Sequence, residues 1–214
     1  MKRAFDIVVA TLCLLLLAPV FAIVAVAIKL GSRGPVFFRQ KRVGRGGQSF
    51  RIVKFRTMIS GAESRGPNVS GIDDHRITRV GAFLRRSFLD EAPQLFNVLA
   101  GDMSLVGPRP ETPEYAALMS PIERRILSVR PGMAGPSTLA YSVQESALLS
   151  HHGDPDRYYR EHLLHKRLEA DLEYLGTTCL REDMRILLRT GAVVIEGLGV
   201  IRRRRTDRAV ATER

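Results

Sequence analysis

The sequence predicts an α/β protein, rich in helix with one small sheet and attached to a membrane. Three observations carry that prediction: an uncharged apolar run near the start, two short strand-like pieces punctuated by glycines, and apolar stripes at helical spacing through the remainder.

The first element lies between Ile7 and Ile28, where there is neither a charge nor a glycine. As a straight helix such a run extends about 33 Å at about 1.5 Å per residue, enough to cross a bilayer. The basic start, Lys2 and Arg3, and the triplet Ala25, Val26, Ala27 resemble a secretory signal. Against a signal stand the length of the apolar core and the cations that follow it, Lys29, Arg33, Arg39, Lys41, Arg42 and Arg45, which resist translocation and keep the next domain in the cytoplasm. Pro19 interrupts the run and predicts a kink near Ala18. A spanning helix tolerates such a proline. Basic residues on both flanks equally suit a segment that enters and turns back, so the residues alone leave both readings open.

Next come "VFFRQ" and "FRIVKFR", separated by Gly44, Gly46 and Gly47, which predict a hairpin. Alternation places Lys54 and Arg56 on one face of the second strand, as an anion site or a solvated edge. "SGAESRGPNVSGIDD", residues 60–74, is polar and aperiodic and reads as a loop. It leads into a helix with Val80, Phe83, Leu84 and Phe88 on one stripe and Arg79, Arg85 and Arg86 outside it.

Pro93 fits a helix only in its first turn, so the helix carrying "QLFNVL" is expected to begin near Leu89 or Asp90, with Asp90 at or beside the N-cap. Free amides and the helix dipole there attract phosphate, although an Asp cap followed by Glu91 also serves a helix with no chemistry at all. Arg85 lies five residues before Asp90, and Arg109 is mounted between Pro108 and Pro110, a rigid seat for a cation that grips phosphate or a planar carbonyl.

Farther on, "DPDRYYREHLLHKRLEADLEYL" predicts a helix with Leu164, Leu168, Leu172 and Leu175 as its core stripe. Leu180, Met184, Leu187, Leu188, Val194, Ile195 and Leu198 line one side of another, with Arg181, Arg185 and Arg189 elsewhere, which suits a membrane surface or ordinary packing. The end, with Arg202 to Arg205, is too polar to fold alone and suits anionic lipid headgroups.

Composition narrows the function. The 214 residues, 45% hydrophobic, allow one catalytic-size core, and 33 Lys plus Arg against 22 Asp plus Glu give +11, which favours polyanionic partners. No base-stacking module or DNA-reading helix accompanies the charge, which argues against nucleic acid. Cys13 and Cys179 form no disulfide framework or zinc spacing, and His162 with His165 lacks the zinc-protease pattern.

The succession "QKRVGRGGQSFRIVKFRTM", "RITRVGAFLRRSFLDEAPQLFNVLAGDMSLVGPRPE" and "RPGMAGP" resembles the bacterial sugar transferase family, monotopic polyprenyl-phosphate phosphoglycosyltransferases, over roughly residues 2 to 200. The resemblance implies a membrane-associated monotopic fold with amphipathic interfacial helices. Residues 1–33 become a re-entrant membrane helix broken at Pro19, 34–200 the cytosolic catalytic domain and 201–214 a basic, disordered tail. It implies transfer of a phosphosugar from a UDP-sugar to polyprenyl phosphate at the cytoplasmic face of the inner membrane, releasing UMP and opening surface glycan assembly.

By the same resemblance Asp90 is the nucleophile and a ligand of Mg2+. Glu91 is a base or orienting group for the lipid phosphate, Arg85 a phosphate contact, and Pro108, Arg109 and Pro110 the uridine end. Lys54 and Arg56 join as candidate substrate contacts. Phe88 departs from the family, where a small polar residue is common, and "GMAGPST" replaces a frequent glycine-tryptophan continuation, which bears on the sugar accepted. A homodimer is left open. The rival reading is a non-catalytic membrane-attached protein that captures phosphorylated lipids or nucleotides.

Overall fold

A computed structural model describes residues 1–67, 69–71, 74–150 and 154–195. Leu198 and the basic segment 201–214 lie outside the described residues.

The long helix α1, Lys2–Gly31, runs through Pro19 without interruption, so the break expected there is absent. A proline in a helix interior removes one hydrogen bond and leaves the neighbouring turns intact, which bends a helix more readily than it ends one. Much of α1 is bare apolar surface, with Leu16 78% exposed. Both of its ends nevertheless rest on the same globular body.

At the start of α1, the Lys2 ammonium donates to the Val106 carbonyl at 3.0 Å and the Asp183 carboxylate at 2.5 Å. The Arg3 guanidinium donates to the carbonyls of Val98 and Leu99, and the buried Asp6 accepts from Ser104 Oγ at 2.8 Å. At the far end, Val24 and Ile28 pack with Phe55 and Leu84, and Phe21 meets the Phe55 ring edge-on at 5.0 Å.

Strands β1, Phe37–Val43, and β2, Ser49–Phe55, form the expected antiparallel hairpin, with Phe38 opposite Lys54. β2 ends at Phe55, and the Arg56 guanidinium turns to the carbonyls of Ser32 and Arg33 just past α1. The expected shared face of Lys54 and Arg56 is therefore lost, because strand alternation stops one residue short of Arg56.

Helix α2, Arg79–Arg86, is capped by Thr78, whose Oγ1 accepts from Gly81 N at 2.9 Å. Gly81 packs directly on Thr57, where a Cβ would stand 1.8 Å from the Thr57 carbonyl oxygen, so only glycine lets α2 approach this closely. The turn Leu89–Glu91 follows, then α3, Gln94–Ala100. Asp90 is thus not the N-cap of α3: Pro93 sits before a helix that begins after a separate 3-10 turn, and Asp90 makes no cap bond.

Strand β3, Ser104–Val106, runs parallel to β4, Gly132–Ala134. Between them stands α4, Pro113–Ala117, and after them α5, Pro136–Ser150. The predicted long helix is realised as α6, Pro155–Tyr158, one π turn, Tyr159–Leu163, and α7, Leu164–Thr177. Asp154 caps it, Leu164 and Leu168 are buried, and Leu172 and Leu175 pack beside them. Residues 180–195 form α8, whose Ile186 and Leu187 join the core while Leu180, Met184, Leu188 and Ile195 remain exposed. α8 is amphipathic, as expected, but its buried side takes Leu187 away from the outward stripe.

Candidate active site

The carboxylates of the "LDE" turn are placed by backbone geometry. Phe88, with φ 56°, is the only non-glycine with positive φ among the described residues. Such a conformation costs roughly 1–2 kcal/mol for a residue with a Cβ. It reverses the chain between α2 and the turn, so that Asp90 and Glu91 face the hairpin across from Lys54.

Glu91 is fully committed. Its Oε1 is 2.6 Å from Lys54 Nζ and 3.7 Å from Arg109 Nη2, and Gln94 adds a side-chain hydrogen bond. Burial opposes its ionisation, but Lys54 and Arg109 outweigh burial and hold its pKa down, at about 2. Asp90 is treated the other way. Burial and the neighbouring Glu91 charge push it up to about 6, with Lys54 and Arg85 pulling only part of the way back. Two adjacent carboxylates thus differ in character: Glu91 is a fixed, neutralised anion, and Asp90 is a poorly compensated one.

Arg85 is aimed by Thr57. Its Nε donates to Thr57 Oγ1 at 3.0 Å and its Nη1 to Ser70 Oγ at 2.6 Å. Neither partner is an anion, and among the described residues Asp90 and Asp74 are the nearest negative charges acting on Arg85.

Arg109 is fixed from behind. Its backbone N–H donates to Asp171 Oδ2 at 2.9 Å, and the same carboxylate accepts from Ser137 Oγ at 2.8 Å. Pro108 accepts from Gly132 N at 2.8 Å, and Pro110 accepts from Arg42 Nη1 at 3.0 Å. Burial works against the Arg109 charge, yet Glu91, Glu145 and Glu111 together raise its pKa.

The structure therefore brings Asp90, Glu91, Lys54, Arg85 and Arg109, with its flanking Pro108 and Pro110, to one place. Arg56 is spent on the end of α1. Thr57, Gln94, Asp171 and Arg42 were missed. Arg42 looked like one more charge after the membrane run, and only the β1–β2 register reveals it. Asp171 hid in a helical stripe where a buried carboxylate gives no local signal. His165 pairs with Glu123 at 2.6 Å, far from this chemistry in role, and no cluster of three or more acidic, His or Cys side chains fit to hold a metal occurs among the described residues.

Paired carboxylates ringed by cations sit on a body that also carries one helix long and apolar enough to cross a membrane. A profile of the bacterial sugar transferase family matches residues 1–197, and the chain belongs to that family. It is 41% identical over 194 residues to the UDP-glucose:undecaprenyl-phosphate glucose-1-phosphate transferase of Caulobacter vibrioides, an alignment covering 88% of this chain and 67% of that protein. To the Escherichia coli K12 protein of the same description it is 39% identical, over 89% of this chain but 39% of the relative. The exopolysaccharide production protein PSS of Rhizobium leguminosarum bv. phaseoli is 39% identical over 92% of this chain and 94% of its own length. The chain thus spans less than half of the E. coli relative and nearly all of the Rhizobium one.

Proposed function

We propose that this protein is a phosphoglycosyltransferase that moves a sugar 1-phosphate from a UDP-sugar to polyprenyl phosphate. The observation that carries the reading is the split pair: Glu91 neutralised by Lys54 and Arg109 beside an Asp90 held above the usual carboxylate range. The substrates named for the Caulobacter and E. coli relatives support the choice of donor and acceptor.

In the first half-reaction an Asp90 oxygen attacks the sugar-bearing phosphorus, the anhydride bond breaks, and UMP leaves with the electron pair. An acyl phosphate joins Asp90 to the phosphosugar. In the second, a phosphate oxygen of the polyprenyl acceptor attacks the same phosphorus, and the Asp90 carboxylate departs. Lys54, Arg85 and Arg109 offset negative charge on the transferring group, and Glu91 holds two of those cations in place. A covalent intermediate lets an aqueous donor and a lipid acceptor use one site in turn.

A magnesium ion fits this donor set. Glu91 is already paired, which leaves the Asp90 carboxylate and donor phosphate oxygens, and Mg2+ is commonly bound by one or two carboxylates together with substrate phosphates. Bound there, it would polarise the phosphoryl oxygens.

The docking of both ends of α1 on one body supports a membrane segment that enters and leaves on the same side, the cytoplasmic one given the basic flanks. The exposed stripe of α8 supports an interfacial role beside it.

Full-length protein in membrane mimetic, given Mg2+, polyprenyl phosphate and a panel of UDP-sugars, is expected to release UMP from at least one. Binding of nucleotides without turnover of any would favour the non-catalytic reading instead.

A further inference from the structure

The helix behind the Arg109 loop changes pitch at the π turn Tyr159–Leu163, between α6 and α7. Counting back four residues from the buried Leu164, as an α-helix would, brings Arg160 inward. The wider turn brings in Tyr159 instead, which is 2% exposed, and leaves Arg160 at the surface. Single π turns inside α-helices are rare and gather at functional sites.

This turn presents a hydroxyl to a carboxylate. Tyr159 Oη donates to Glu111 Oε1 at 2.9 Å, and both residues are buried. Burial, and next the Glu111 charge, push the Tyr159 pKa far up, so the phenol keeps its proton and can only donate. The Arg167 guanidinium lies 6.0 Å from the centre of the Tyr159 ring and donates to Glu145.

Glu111 directly follows the Pro108–Arg109–Pro110 mount, and it stands near two cations without pairing with either. Burial opposes the Arg109 charge, while Glu91, Glu145 and Glu111, in that order, favour it. At Arg42 too Glu111 offsets part of the burial, but the Arg42 fork is bonded to the Pro110 carbonyl and to Gln40. Among the described residues Arg109 makes its ion pair with Glu91, at 3.7 Å, and with neither Glu111 nor Glu145. Each rear carboxylate has a partner of its own, Tyr159 for Glu111 and Arg167 for Glu145. Asp171, the third anion behind the loop, is taken up by the Arg109 N–H and by Ser137. A buried carboxylate without its donor would turn to the nearest guanidinium, and Glu91 would then share Arg109.

We propose that Tyr159 is a positioning residue: by holding the Glu111 carboxylate it keeps that anion from drawing the Arg109 guanidinium back, so that Arg109 stays on Glu91 and on the phosphates of a bound donor. The consequence for turnover rests on the transferase reading, and the geometry does not.

The test compares wild type, Tyr159→Phe, Glu111→Gln and the double variant, as full chains in membrane mimetic with Mg2+, by the Kd of UDP and by kcat/KM for a competent UDP-sugar. Tyr159→Phe keeps the ring and loses the hydroxyl, and it is expected to weaken both about fivefold or more, as loss of a hydrogen bond to a charged group does. The amide of Glu111→Gln has no charge with which to draw Arg109, so adding Tyr159→Phe to it is expected to change either quantity by less than about twofold. That rescue separates positioning from packing, because a fold weakened by the missing hydroxyl is weakened in both backgrounds. Where Tyr159→Phe alone does not fold, the double variant measured against Glu111→Gln decides. An unaltered Tyr159→Phe would overturn the proposal, and so would a loss of the same size in the Glu111→Gln background. The expected pattern in UDP binding by a protein that turns over no UDP-sugar would leave Tyr159 in its role and sink the transferase reading alone.

Discussion

Replacing Asp90 by Asn should abolish turnover and, at the same time, make the protein more stable. Burial and the Glu91 charge raise the Asp90 pKa from 3.8 to about 6 in the folded chain. A group whose folded pKa lies above its unfolded value favours folding only while protonated, so its charged form is a penalty. That penalty is absent below about pH 4, grows as pH rises toward 6, and is constant above. About two pKa units correspond to roughly 3 kcal/mol, and the partial exposure of the pair screens this to roughly 1–3 kcal/mol. For a chain of this size that is a Tm gain of roughly 2–10 °C at pH 8. Thermal unfolding of wild type and Asp90→Asn in the same detergent, from pH 4 to 8, should show curves that nearly coincide at pH 4, separate between pH 4 and 6, and keep a constant gap above that. A variant that is less stable at pH 8, or a difference that ignores pH, would refute the argument that Asp90 is held charged against its environment.

Glu91→Gln should do the opposite, lowering Tm at neutral pH, because Lys54 and Arg109, the cations that hold Glu91 ionised down to about pH 2, lose their anion; this contribution to wild-type stability should be intact above about pH 4.5 and be lost as the pH falls from there toward 2. Lys54→Met removes a charge that holds the Asp90 pKa down, so the acid limb of kcat/KM in a pH-rate profile should move to higher pH, and an unmoved limb would separate Lys54 from Asp90. Lys2→Met should cost roughly 1–3 kcal/mol, since it takes a partly exposed cation from the buried Asp183, and limited proteolysis should then cleave α8 sooner than in wild type.

Much of this was legible in the sequence because it rests on local chemistry. The hairpin followed from alternation and its glycines, the Asp154 cap and leucine stripe from helical spacing, and the Pro108–Arg109–Pro110 mount from proline stiffness alone. Asp90, Glu91, Arg85 and Arg109 were candidates for the same reason. What failed depended on distant partners. Alternation says nothing of where a strand stops, so Arg56 was placed with Lys54 when it closes the end of α1. The start of α3 was misplaced because the left-handed Phe88 inserts a separate turn that no propensity for Phe announces. Pro19 was given more power to break α1 than one lost hydrogen bond supplies. Arg42 and Asp171 acquire meaning only once β1 and α7 are folded against the Arg109 loop.

The central claim is that Asp90 becomes covalently bonded to the donor's phosphorus. Intact-mass and peptide mass spectrometry of the full chain, quenched after mixing with Mg2+ and a competent UDP-sugar but no acceptor, tests it most directly. A phosphosugar adduct confined to the Asp90 peptide, formed with one equivalent of UMP and discharged by polyprenyl phosphate, is the predicted result. Efficient product formation with that peptide unmodified at every quench time would contradict it.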